Sequence, residues 1–207
     1  MDDYIKALEL GKKELTGEDP KKIAFRSGAE YIEERNGEMG FSINFLNRKI
    51  LISWPDLNFS TGTDKEEVPI QQQVLLLHYL NITEDAEILG EWIAYQEVPD
   101  GKFYLDAFVR RAKNPMLHGF GNNPELLVKL AGEAYGATPL SQGDVAVRIQ
   151  ALPLVPVALI LWRGDDEFPP EGTILFDKSV PKVLSAEDIA WLAGMIIYPL
   201  LGMAAGK

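Results

Sequence analysis

The chain has 207 residues, of which 46% are hydrophobic and 25% charged, a size and balance that fit one folded domain with a sizeable core. Long-range disorder is excluded by that apolar content. A formal net charge of −11 repels free nucleic acid. The compact basic spots Lys12-Lys13, Lys21-Lys22 and Arg110-Arg111 are diluted by acids, so nucleic-acid binding is disfavoured.

The absence of cysteine removes disulfides, thiolate zinc sites, a thiol nucleophile and a conventionally ligated iron–sulfur cluster. The start, Met1-Asp2-Asp3-Tyr4, is acidic and has no apolar run, which does not fit a secretory signal. The expected location is the cytoplasm.

In chain order, Ile5, Leu8 and Leu15 mark one side of a helix over about residues 3–15. A β-rich stretch follows. Ala29–Arg35 leads into Asn36-Gly37, a tight-turn dipeptide. Phe41, Ile43 and Phe45 then alternate with Ser42 and Asn44, the period of a half-buried strand. Asn47-Arg48 turns the chain into Lys49–Trp54, which Pro55-Asp56 ends, so the three segments read as an antiparallel meander. Residues 56–68 form a polar loop, and Pro69 suits the first turn of a buried helix reaching Leu80, with Ile70, Val74 and Leu77 at helical spacing. Ile88–Val98 reads as extended, and a short helix over Phe103–Phe108 is stopped by Asn114-Pro115.

The next helix carries a full set of signals: Asn123 as N-cap, Pro124 at N1, Glu125 at the positive end of the dipole and Gly136 as the close. Val145–Ala151 alternates as a strand with one wet face, and Val155–Trp162 is apolar throughout, as a strand covered on both faces would be. At the end, Ser185 and Asp188 form a capping box before an uncharged run from Ile189 to Gly206. That run has the length of a membrane span, but Pro199 interrupts it. The expectation is a buried core helix over about 186–198 with an apolar tail, and no membrane crossing. Strands and helices do not alternate strictly, which favours a single α+β domain with a largely antiparallel sheet and helices packed against it.

Chemistry concentrates after the long apolar strand. Asp165, Asp166, Glu167, Glu171 and Asp177 place carboxylates where that strand emerges, beside Gly164, Pro169 and Pro170. Oxygen-rich clusters suit Mg²⁺ or Mn²⁺, so Asp165, Asp166, Glu167 and Asp177 are candidate metal ligands for a hydrolase or transferase. The spacing matches no calcium loop. The competing expectation is a solvated loop whose Phe168 plugs the core and whose acids pair with Arg163 or Arg148. His78, between Leu77 and Tyr79 on the apolar helix, is either a core histidine or a ligand to the metal of a tetrapyrrole. Tyr79, Trp92, Tyr104 and Trp162 are candidates to line the same cofactor pocket, although the aromatics Trp92, Tyr95, Phe103, Tyr104 and Phe108 equally suit a packed core. His118 precedes Gly119-Phe120-Gly121-Asn122-Asn123-Pro124, a segment that offers helix-start amides to an anion or forms an ordinary capped turn. There is no dinucleotide fingerprint, Walker loop, G-x-S-x-G elbow or H-E-x-x-H helix.

Several segments together carry a family resemblance: Leu77-His78-Tyr79-Leu80, Gly101-Lys102-Phe103-Tyr104, Gly143-Asp144, and above all Leu152–Val157 running through Trp162 into Asp166–Pro169 and Leu175-Phe176-Asp177. The pattern resembles the prokaryotic family catalogued as domain of unknown function 3786, over about residues 20–190. That resemblance implies a cytoplasmic protein of anaerobic bacteria and archaea, and brings no established activity or catalytic residue. Some relatives are joined to an iron–sulfur domain, and this cysteine-free chain has no counterpart to it.

The functional expectation is a small-ligand or cofactor-binding accessory protein, with a tetrapyrrole or a divalent metal as candidate cofactor and a pocket near His78 and the Asp165–Glu167 loop. A metal-dependent hydrolase or transferase is the second reading. A structural module that docks its apolar tail on a partner protein or on a second copy is the third.

Overall fold

Two apolar patterns seed two separate sheets: the alternating stretch around Phe41–Phe45 and the continuous run Val155–Trp162. A computed structural model describes residues 2–35, 38–62 and 67–206, and these form an α+β fold in which both sheets are antiparallel. The chain divides into two compact units, Met1–Glu87 with Leu152–Leu154, and Ile88–Ala151 with Val155–Lys207.

The first unit begins with α1 (Asp2–Leu15) and α2 (Pro20–Ser27). Helix α2 is not among the expected elements, although Asp19 caps it by accepting the Lys21 N–H at 2.9 Å, Pro20 opens it and Gly28 closes it at a φ of 67°. The three expected strands of the meander follow, β1 (Glu30–Arg35), β2 (Glu38–Phe45) and β3 (Arg48–Trp54), and a fourth, the short β4 (Phe59–Ser60), forms within the stretch expected to be a loop and pairs with β3 at the edge of the sheet. The expected Asn36-Gly37 turn lies outside the described residues. The β2–β3 turn is Leu46-Asn47, one residue earlier than expected, with φ of 49° and 62° and Phe45 paired to Arg48. Positive φ at both residues gives the hairpin a twist that matches its strands. Phe41, Ile43, Phe45, Ile50 and Ile52 are all buried, and α3 (Ile70–Leu80) adds Val74, Leu75, Leu76, Leu77, Tyr79 and Leu80 to the core.

Tyr79 also ties distant parts of this unit together. Its hydroxyl donates to Ser27 O at 2.6 Å and accepts the Leu154 N–H at 3.1 Å. Burial pushes the phenol well above its ordinary pKa, and the Leu154 hydrogen bond only partly opposes that, so the donor proton stays in place.

The second unit opens with β5 (Trp92–Ala94), much shorter than the extended stretch expected over Ile88–Val98, because Tyr95–Glu97 winds into a 3-10 turn. Asn114-Pro115 does not stop the helix that follows. Instead α4 (Gly101–Phe108) runs through a π-helical turn (Val109–Lys113) into α5 (Asn114–Phe120), with Asn114 N donating to Val109 O and Pro115 directly after it. Next come α6 (Pro124–Tyr135), β6 (Thr138–Pro139), β7 (Val145–Leu152), β8 (Val155–Trp162) and β9 (Glu171–Asp177). Strand β9 was unforeseen. The sheet order is β5-β9-β8-β7-β6, so the wholly apolar β8 occupies the centre, buried along its length except at Trp162.

Helix α7 (Ala186–Ala205) completes this unit and packs on α4, the π-turn, α5 and α6. Its start is the expected capping box, with Ser185 Oγ accepting the Asp188 N–H at 3.2 Å. Its end differs from expectation: the helix continues past Pro199 to Ala205. Proline removes one hydrogen bond from the helix, and beyond it Leu201 packs its side chain against Gly119 of α5. Tyr95 and Tyr135 fasten α7 further, donating to Ala186 O at 2.7 Å and Ile196 O at 2.8 Å. By length and composition α7 is apolar enough to cross a membrane, and in this fold nine of its residues, among them Ile189, Ile196 and Leu200, are buried.

Candidate functional site

Strand β8 ends at Trp162, which pairs with Glu171 at the start of β9. The acidic segment is therefore the hairpin connection Arg163–Pro170. Its backbone is fixed from within. The Asp165 carboxylate accepts the N–H groups of Phe168 and Glu167, both at 2.8 Å, while Asp165 N donates to Phe168 O at 2.9 Å. Those bonds, Phe168 first, hold the Asp165 carboxyl below its ordinary pKa. Glycine is required at residue 164, where a Cβ would lie 2.7 Å from Pro170 N and 2.9 Å from Phe168 O.

The loop is also fastened to its surroundings. Arg163 N donates to Asp144 Oδ2 at 2.8 Å, and the Arg163 guanidinium grips both oxygens of Glu125 in the first turn of α6. That grip holds Glu125 below its ordinary pKa and Arg163 above its own. Between the loop and the start of α6 lies an open cleft of about 460 Å³, with Gly121, Asn122 and Pro124 on one wall and Arg163–Pro170 on the other. Two stretches singled out separately in the sequence, the helix start after His118 and the acidic loop, thus share one hollow within the second unit.

Asp166 and Glu167 line this cleft, and among the described residues their carboxylates form no ion pair or side-chain hydrogen bond. Phe168 lines it too. It does not plug the core as one expectation had it, but is 67% exposed. Nor do the loop's acids pair with arginine: Arg163 is taken by Glu125, and Arg148 bonds Gln150 at 2.8 Å. The cleft can therefore present two unpaired carboxylates and an aromatic face to a ligand, while its one cation is already neutralised.

The other candidates lie elsewhere. Asp177 stands at the opposite end of β9, about 20 Å from Glu171 at the usual rise per residue. It is 1% exposed and fully committed, accepting from Leu89 N (3.0 Å), Gly90 N (2.6 Å), Ser179 N (3.0 Å) and Ser179 Oγ (2.6 Å). Burial pushes its pKa up, but the hydrogen bonds from Ser179, Leu89 and Gly90 outweigh that and leave it below the ordinary value. The four-carboxylate metal set is therefore not assembled, and no group of three or more His, Asp or Glu side chains converges as metal ligands among the described residues.

His78 belongs to the first unit and is exposed on α3, between the buried Leu77 and Tyr79, so it is not a core histidine. Tyr79 is spent on Ser27 and Leu154. In the second unit Trp92 is half-buried, Trp162 is 40% exposed at the end of β8, and neither lines the cleft. The aromatic set of the middle segment splits as well: Tyr95 stacks on Phe108 at 4.2 Å beside Phe176, whereas Phe103 and Tyr104 point outward. His118 is exposed on α5.

Sequence reasoning does not identify Phe168 as a residue lining the cleft, nor Glu125 and Asp144 as the residues that anchor Arg163 beside it. Glu125 is legible only as a helix-dipole residue because its partner Arg163 is 38 residues away, whereas Phe168, bonded to Asp165 three residues before it, is legible only as a plug because its exposure depends on the fold.

A family model described as "Domain of unknown function (DUF3786)" matches residues 19–198. No curated protein and no solved structure matches the chain.

Proposed function

The chain belongs to that family, and from this premise we propose that it is a binding protein for a small organic cation, taken up in the cleft between the Arg163–Pro170 loop and the start of α6. The observation that carries this reading is the pairing of two uncommitted carboxylates, Asp166 and Glu167, with the outward-facing ring of Phe168 in one hollow. An ammonium or guanidinium group is attracted both to carboxylates and to the face of an aromatic ring. The Asp165 turn and Gly164 hold these groups in place before a ligand arrives, which lowers the ordering cost of binding. A flat, apolar tetrapyrrole fits this polar hollow poorly, and no histidine lines it to serve as an axial ligand.

Exposed ion pairs and cation–π contacts are individually weak, so a small monovalent cation is expected to bind at roughly millimolar Kd, and a polyamine more tightly. Titration calorimetry of the full chain with spermidine and with choline tests the reading. The expected result is saturable heat that disappears in the double variant Asp166→Asn/Glu167→Gln. Saturable heat of equal size in that variant, or none in the parent protein, contradicts it.

A further inference from the structure

We propose that the outward face of α4 and the π-helical turn is a docking surface for an acidic segment of a partner protein, anchored on Phe103. Phe103 is 84% exposed, more than any other large hydrophobic residue described. Packing does not require this: on the opposite side of the same rod, Phe108, Ala112 and Met116 are buried in the core of the unit. Arg110 and Arg111 follow Phe103 by seven and eight residues, a spacing that returns to the same face of a helix, and both are exposed. The π-turn falls at these two arginines, and such turns recur at functional positions because they re-aim side chains at some cost in helix regularity.

Charge singles out the kind of partner. Residues 101–120 hold Lys102, Arg110, Arg111 and Lys113 against one acid, Asp106, in a chain with 31 acidic and 20 basic residues. In the linear sequence the Arg110-Arg111 spot looks diluted, but among the described residues none of these four cations forms an ion pair. Arg110 Nε donates only to the Asp106 carbonyl, at 3.2 Å. Exposed aromatic and arginine side chains are the groups that dominate interface energetics. A duplex nucleic acid or an anionic membrane is an extended polyanion and meets the repulsion of the whole −11 chain. A short acidic peptide feels mainly the local field, because charges beyond about 10 Å are screened at moderate salt. That favours a peptide carrying both acidic and apolar side chains.

The test uses the full chain and a fluorescein-labelled dodecapeptide of glutamates interrupted by leucines, read by fluorescence anisotropy. The expected result is binding that weakens as salt is raised, falls by about tenfold in Arg110→Glu/Arg111→Glu and falls several-fold in Phe103→Ser. All three positions are exposed, so melting curves should overlay those of the parent, and Asp166→Asn/Glu167→Gln should leave peptide binding intact. No binding by the parent, equal binding by the face variants, or tighter binding of anionic vesicles or duplex DNA than of the peptide overturns the proposal.

Discussion

Arg163, the first residue beyond β8, and Glu125, in the first turn of α6, are joined by the two terminal guanidinium nitrogens, Nη1 and Nη2, to both carboxylate oxygens, so the loop and the helix that form the cleft are tied at one point. Both side chains are largely exposed, 51% and 62%, so the tie adds little to folding stability. Its consequence is electrostatic, because Glu125 cancels the one cation lining the cleft. Glu125→Gln should leave the melting temperature nearly unchanged while weakening cation binding several-fold. Arg163→Gln should strengthen that binding. Calorimetry on the two variants checks the pair of signs, and tighter binding by Glu125→Gln would contradict the electrostatic account.

Asp177 makes the clearest pH prediction. Its pKa in the fold lies below its ordinary value, so the stability it contributes is fully present above about pH 4 and is lost as pH falls through the depressed folded value. Asp177→Ala leaves the amides of Leu89, Gly90 and Ser179 without their acceptor and should cost about 2–4 kcal/mol at neutral pH. Chemical denaturation at pH 7 and again at pH 3 measures it. The gap between variant and parent should shrink at the lower pH, and a gap that widens there would be inconsistent with the sign.

Tyr79→Phe removes a hydroxyl that serves Ser27 O and Leu154 N at once, in a position with no exposure. The expected loss is about 1–3 kcal/mol by urea denaturation, since the buried Ser27 carbonyl and the half-buried Leu154 N–H stay behind unpaired. A loss near zero would mean that water replaces the hydroxyl.

Ser185→Ala breaks the box that starts α7, the helix on which α4, α5 and α6 pack. A cost of about 1 kcal/mol is expected, as for other N-caps, read as a lowered denaturation midpoint. Ser185→Asp keeps an acceptor and should recover most of it.

What the sequence made legible follows from where each signal resides. Local chemistry carried the meander, the start and end of α6, the central β8 and the Ser185 cap, because alternation, Pro at N1, Gly at C′ and an uninterrupted apolar run act within a few residues. The helix α2 also has local signals, Asp19, Pro20 and Gly28, but its two turns are too short to show a clear apolar period. Strand β9 was hidden by its acidic edges: Glu171 and Asp177 bracket a short apolar stretch that reads as part of the loop before it. At the site, the acids were visible but their division of labour was not. Asp165 caps its own turn, Asp177 serves another part of the unit, and only Asp166 and Glu167 are left to the cleft. That division depends on the β8–β9 register and on the start of α6 lying opposite the loop, both contacts between residues distant in sequence.

The central claim, that the cleft selects positive charge, is tested most directly by titrating the parent protein with choline and with 3,3-dimethylbutan-1-ol, molecules of nearly the same shape that differ in charge. The account predicts saturable binding of choline at roughly millimolar Kd and no measurable binding of the neutral alcohol. Equal binding of the two, or preference for the alcohol, would contradict it.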